Sequence, residues 1–249
     1  MTVADFKVVI PARYASVRLP GKALRQIAGK PMIAWVYERA CRSGAAAVYV
    51  ATDDERIASA CRAIGAAVEM TAASHPSGSD RIAELATRLA WPDEQIVVNV
   101  QGDEPLLPPV LIDQVANLLA RDSSADIATL MAPVRDEGEF ADPNVVKIVV
   151  GRGGNALYFS RAPIPYPRDG GVPAEARRHV GLYAYRVGSL KALAESGDCA
   201  LEGTERLEQL RALWLGQRIV IDDAIELPPR GVDTETDLAE ARRIMDSNE

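Results

Sequence analysis

From residue 6 to residue 121 the chain alternates short runs of apolar, β-favouring residues with stretches whose apolar residues recur every three or four positions. That alternation limits the folds open to it more than any other feature. The runs at 6–11, 47–52, 67–70 and 96–100 read as strands, and those at 33–44, 53–64, 81–89 and 108–121 read as helices. Gly44 supplies a stop for the first helix, and Pro108 and Pro109 suit the opening turn of the last. Strands separated by helices build βαβ units, so an α/β fold follows, with a mainly parallel sheet, right-handed crossovers and helices on both faces. In such sheets ligands bind beyond the carboxyl ends of the strands. The loops after Ile10, Thr52, Met70 and Val100 are therefore expected to meet on one edge.

Past residue 127 the pattern changes. Residues 127–131, 145–150, 157–160 and 180–187 are β-like with fewer helices between them, and 163–173 is a Pro/Gly-rich loop. Helices return at 189–195 and 205–215, a strand is expected over 218–227, and a helix over 235–245 closes the chain. The expectation is a single domain over 1–249 with a β-rich lobe at about 127–187 that carries sugar specificity or a dimer contact.

Several function classes drop out on composition. The net charge is −7, from 28 Lys+Arg against 35 Asp+Glu, which is the wrong sign for gripping a nucleic-acid polymer. No apolar run approaches the ~20 residues needed to cross a bilayer, so no membrane insertion is expected. The opening MTVADFKVV has no basic-then-apolar leader, and a cytoplasmic protein is expected. Cys41, Cys61 and Cys199 are not at metal or redox spacing, and only His75 and His179 are available as imidazole ligands. Chemistry must rest on carboxylates, cations and hydroxyls.

The segment PARYASVRLPGKAL (11–24) follows the first strand and offers Arg13, Arg18 and Lys22 among small residues, as a triphosphate-gripping loop needs. The competing reading is a solvated turn. Neither G-x-G-x-x-G nor G-x-x-x-x-G-K-[ST] is present, because Gly29-Lys30 runs into Pro31. Asp103 directly follows a buried strand, where a carboxylate suits Mg²⁺ but could equally serve a turn. Thr234 with Asp237 forms a capping-box pattern, which leaves Asp233 free to point elsewhere or into solvent.

PARYASVRLPGKAL, AGKPMI (28–33), VATDD (50–54), HPSGSDR (75–81) and VNVQGDEP (98–105) together closely resemble the sugar-activating cytidylyltransferases. YFSRAPIP (158–165), RHVGLYAYR (178–186), LEQLRALW (207–214) and GVDTETDL (231–238) continue the resemblance, in order, across nearly the whole chain. Ser79 stands where Thr is usual in the family, and Thr236 where Pro is common.

The resemblance implies a Rossmann-like nucleotidyltransferase sheet, a homodimer, and transfer of CMP from CTP to an acidic eight-carbon sugar, 3-deoxy-D-manno-octulosonate (Kdo), for lipopolysaccharide. It carries nucleotide binding onto Pro11, Ala12, Arg13, Arg18, Lys22, Ser77, Arg81, Gln101 and Asp103. It carries Mg²⁺ ligation onto Asp103 and Asp233, and sugar binding onto Gln101, Arg161, His179, Tyr183, Glu208 and Gln209. Lys22, Asp103 and Asp233 are the implied catalytic set. Without the resemblance, Tyr183 reads as a core residue and Glu208 and Gln209 as a solvated helix face. Two alternatives stay open: activation of a related acid sugar (8-amino Kdo or a nonulosonate), and a non-catalytic nucleotide-binding regulator.

Overall fold

Strand β1 (Phe6–Ala12) is buried on both faces, and for that reason its sequence is a continuous apolar run rather than an alternating one. The computed structural model describes residues 5–246 apart from Val17 and Asp198. After β1 come a 3₁₀ turn (Lys22–Leu24), the two-residue strands β2 (Gln26–Ile27) and β3 (Lys30–Pro31), helix α1 (Met32–Ala40), β4 (Ala47–Thr52), α2 (Glu55–Ala63) and β5 (Ala67–Met70). Then follow α3 (Gly78–Arg88), β6 (Ile96–Asn99), α4 (Pro109–Arg121), β7 (Ile127–Pro133), α5 (Glu137–Ala141), β8 (Lys147–Val150) and β9 (Ala156–Ser160). The chain ends with β10 (Arg177–Arg186), α6 (Val187–Glu195), α7 (Ala200–Glu205), α8 (Gln209–Trp214), β11 (Ile219–Asp223) and α9 (Glu235–Asp246).

Strands β2 and β3 pair as a separate antiparallel ribbon, and the others join in one sheet of order β11-β7-β10-β6-β1-β4-β5, with β8 and β9 as an antiparallel extension off β10. Pairs β6–β1, β1–β4, β4–β5 and β7–β11 are parallel, while β10 runs antiparallel to both of its neighbours in that order. One face is covered by α1, α2 and α4 through Ile33, Val36, Ile57, Leu111 and Val115, which pack on Phe6, Val8, Ile10 and Val98. The other carries α3, α6 and α8 through Ile82, Leu85, Leu190 and Leu210, packed on Val9 and Val97. Each of these fully buried aliphatic side chains contributes roughly 1.5–3 kcal/mol. Helix α9 folds back onto β2 through Leu238, Ala241 and Met245 against Ile27 and Leu19, which returns the end of the chain to the loop after β1.

The α/β architecture expected from the hydrophobic periods is present. Four local expectations are corrected. The helix expected to start at Asp53 begins at Glu55 with Asp54 as its cap, so Asp53 is left at the strand end. The helix expected over 205–215 is broken: Arg206 adopts φ +53, and α7 and α8 flank it. The strand expected over 218–227 stops at Asp223, and β10 starts at Arg177, ahead of the expected 180. Of the span 127–187, β7 and β10 lie within the main sheet order. Among the described residues no helix is long and apolar enough to cross a membrane.

Candidate active site

The loops that leave the carboxyl ends of β1 and β6, the turn before α3, and the segments before α8 and α9 meet in a cleft of about 800 Å³. Gly102 permits the approach of the β6 loop to the β1 loop, since a Cβ there would lie 3.1 Å from the Pro11 carbonyl oxygen. A larger groove of about 1180 Å³ runs between α3, α6 and α7. Its walls interleave Arg88, Lys191 and Arg211 with Glu84, Glu195 and Glu202, whereas Arg13, Arg18, Lys22, Asp103 and Asp233 all lie in the cleft at the sheet edge.

Pro11, Ala12, Arg13, Arg18, Lys22, Ser77, Arg81, Gln101, Asp103, Glu208 and Asp233 all line that cleft. Gly21, at φ +64, turns the loop into the 3₁₀ turn that presents Lys22. Lys22 Nζ donates to Asp103 Oδ2 at 2.5 Å and to Asp233 Oδ1 at 2.9 Å, and Arg18 reaches Asp233 Oδ2 at 3.0 Å. Burial disfavours the Lys22 ammonium, but the two carboxylates outweigh it and its pKa is raised, so it is a cation at neutral pH.

Asp233 is free to point inward because Asp237, not Asp233, closes the capping box. Asp237 Oδ2 accepts from the Thr234 amide at 2.8 Å and the Thr234 hydroxyl at 2.7 Å. The Val232 amide donates to the Asp103 carbonyl at 2.8 Å, which ties the two acidic loops together. Among the described residues no group of three or more His, Cys, Asp or Glu converges on a metal position. Two carboxylates focused on one positive charge are nonetheless the donor set that Mg²⁺ accepts when phosphate and water supply the rest. Burial and the charge of Asp103 push the pKa of neighbouring Glu104 up to about 8.

Of the residues expected to hold the nucleoside, Ser77 caps α3, accepting from the Asp80 amide at 3.2 Å and donating to the Asp80 carboxylate at 2.6 Å. Arg81 is 3% exposed, donates to the Thr71 hydroxyl and pairs with Asp53 at 3.3 Å. Asp53 and Thr71 escape a reading of local sequence because their partner lies on another element. Ser79 does too: its hydroxyl donates to Glu208 at 2.5 Å and links α3 to the start of α8.

Of the residues expected to bind the sugar, Gln101 and Glu208 line the cleft, whereas Arg161, His179, Tyr183 and Gln209 do not. Gln101 donates to Asn99 at 3.3 Å, Asn99 sits opposite Tyr183 in the β6–β10 register, and the Tyr183 ring lies 5.2 Å from that of His179. His179 Nε2 meets the Thr129 hydroxyl at 2.9 Å, and burial pushes its pKa down to about 3, so it is neutral. Gln209 is buried at the first turn of α8. Arg161 departs from the expected free guanidinium. It donates to the main-chain carbonyls of Glu205, Pro143 and Arg206 at 2.6, 2.8 and 3.4 Å, and so fastens β9 to the turn that carries Glu208.

A mixed, mainly parallel sheet with a basic loop after its first strand, beside two carboxylates that share a cation, is the layout of a nucleotidyltransferase. The cytidylyltransferase family model matches residues 7–219. The chain belongs to the cytidylyltransferase family. It is 55% identical over 251 residues to a 3-deoxy-manno-octulosonate cytidylyltransferase of Hahella chejuensis, covering 98% of each. It is 54% identical to the enzyme of that name from Pseudomonas fluorescens, over 97% of this chain and 98% of the other. A solved structure of CMP:2-keto-3-deoxy-manno-octonic acid synthetase complexed with CTP superposes with a TM-score of 0.91 at 40% identity, covering 99% of this chain and all of the other. A cytidylyltransferase from Leptospira borgpetersenii, at 15% identity and a TM-score of 0.62, shares the fold.

Proposed function

We propose that this chain transfers CMP from CTP to the anomeric hydroxyl of 3-deoxy-D-manno-octulosonate, releasing pyrophosphate. The observation that carries the reading is the convergence of Asp103 and Asp233 on Lys22, with Arg18 paired to Asp233 and Arg13 lining the same cleft. A regulator that only binds nucleotide has no need of this pair. The reaction forms a bond from the anomeric oxygen to the α-phosphorus and breaks the bond from that phosphorus to the β-phosphate oxygen. The hydroxyl loses its proton and no covalent enzyme intermediate forms. Catalysis is then positioning and charge stabilisation.

Arg13, Arg18 and Lys22 hold the β- and γ-phosphates and stabilise charge on the departing pyrophosphate. Ser77 and Arg81 orient the cytidine. Gln101, His179, Tyr183, Glu208 and Gln209 position the sugar, with His179 as a neutral hydrogen-bonding group. Arg161 would meet the sugar carboxylate only by releasing main-chain carbonyls; in its present place it fixes the turn before α8. Asp103 and Asp233 would hold magnesium, which when bound would neutralise charge on the phosphate oxygens.

A homodimer is part of this reading. Leu157 on β9 and Ile225 and Leu227 after β11 are 56%, 61% and 59% exposed, on elements joined at the Asn155–Val220 bridge, and the span 127–187 would supply the contact. The protein is expected in the cytoplasm, its product used in lipopolysaccharide assembly. A coupled pyrophosphate assay with CTP and a panel of acid sugars tests the function. Turnover with Kdo well above that with 8-amino Kdo or a nonulosonate supports it, and preference for either of the others overturns the sugar assignment.

A further inference from the structure

Tyr14 lies in the phosphate loop between Arg13 and the Arg18–Lys22 stretch, and its ring touches two elements. It packs on Gly21, where a Cβ would come within 3.2 Å of the ring carbons and hydroxyl. It also carries Arg56, whose guanidinium carbon lies 3.3 Å from the ring centroid. Arg56 is held in turn by Asp54, whose carboxylate accepts from Nε at 2.9 Å and from Nη2 at 2.6 Å. Asp54 accepts from the Arg56 amide as well, at 2.9 Å, so the same carboxylate caps α2 and orients the arginine. A two-point carboxylate contact fixes the plane of a guanidinium, and a planar cation is what stacks on an aromatic face.

We infer that Asp54, Arg56 and Tyr14 form a clamp that positions the phosphate loop for CTP. The first turn of α2 is anchored through β4 to the sheet. The clamp carries that rigidity to Gly21, hence to Lys22, without touching the nucleotide. Arg56 and Tyr14 are positioning residues and stand outside the residues that line the cleft. The inference rests on the assignment of residues 11–22 to the triphosphate. Without the clamp, binding must order the loop first, and that entropy is lost from affinity.

The test is calorimetric affinity for magnesium-CTP, read beside steady-state kinetics on the full chain. An exposed cation–π contact supports an effect of about two- to fivefold. Arg56→Ala and Tyr14→Leu should each weaken CTP binding by that factor and raise KM for CTP equally, with kcat and KM for the acid sugar unchanged. The double variant should be no weaker than either single one, because both remove the same contact. Arg56→Lys should recover part of the loss, and Tyr14→Phe should bind as the parent does. Parental CTP affinity in Arg56→Ala, or losses that multiply in the double variant, overturns the clamp. A parent that binds CTP but turns over no sugar refutes the proposed reaction and leaves the clamp still readable through affinity.

Discussion

Lys22 touches both acidic residues that are proposed to hold metal, which gives that one ammonium two roles. It compensates Asp103 and Asp233, and it contributes charge to the triphosphate grip. A dication and an ammonium cannot share the same two oxygens at such distances, so Lys22 and metal compete. Lys22→Met should therefore bind Mn²⁺ in the absence of nucleotide roughly tenfold more tightly, by electron paramagnetic resonance, while its CTP affinity falls. Unchanged Mn²⁺ affinity would show that the lysine does not guard the pair. Asp103→Asn should lower pyrophosphate release by about a hundredfold or more while the melting temperature stays close to the parent's.

His179 gives a pH signature. Its folded-state pKa of about 3 lies below the ordinary 6.5, so between those values the unfolded chain carries a proton that the native one lacks. Its contribution to stability is then constant above 6.5 and falls on acidification, by up to about 1.4 kcal/mol per pH unit. His179→Gln should flatten the decline in melting temperature between pH 6.5 and 5. An identical slope in both proteins would contradict the burial of a neutral imidazole.

At the scale of elements, the region around Arg161 shows how a turn is held. Lys147 is fully buried, and its ammonium donates to the carbonyls of Asp142, Val145 and Arg161 at 2.8, 2.6 and 2.7 Å. Burial lowers its pKa, and the three acceptors keep it in place. Lys147→Met leaves those carbonyls to find other partners. At about 1–3 kcal/mol for each buried group left unsatisfied, the denaturant midpoint should fall clearly, and a midpoint equal to the parent's would count against this fastening.

This region also marks the limit of what the sequence discloses. β1 and β6 are legible because burial on both faces imposes an apolar run, and the capping box at Thr234–Asp237 is legible because its partners are three residues apart. The break at Arg206 is not. The helical spacing of Leu207, Leu210 and Leu213 continues past it, while the left-handed backbone is held by tertiary bonds from Ser160 and Arg161 to Glu205. The pairing of Asp103 with Asp233 was likewise accessible only through resemblance, since the fold alone brings the two loops together. Asp53 is an instance of the same limit. Local sequence reads it as the first residue of a helix, but it lies outside α2 and its partner Arg81 lies on α3.

Across the whole molecule, the topology accounts for the placement of both halves of the site. Parallel β1 and β6 deliver the phosphate loop and Asp103 to one edge, and α9, packed on β2, brings Asp233 back to them. Antiparallel β10 beside β6 places Tyr183 opposite Asn99, which lines the cleft. The exposed apolar residues on β9 and after β11 predict self-association. Light scattering should give twice the chain mass of 26.8 kDa, and Leu157→Glu with Leu227→Glu should shift it toward the monomer; a monomeric parent would remove the dimer from this account.

The central claim is that this cleft joins CMP to an acid sugar. Phosphorus NMR of the parent with CTP, magnesium and Kdo tests it most directly. The account predicts a phosphodiester signal for the CMP-sugar growing in step with pyrophosphate, with neither product from Asp103→Asn. CTP that stays intact in the presence of the sugar, or that yields CDP and phosphate instead, would contradict it.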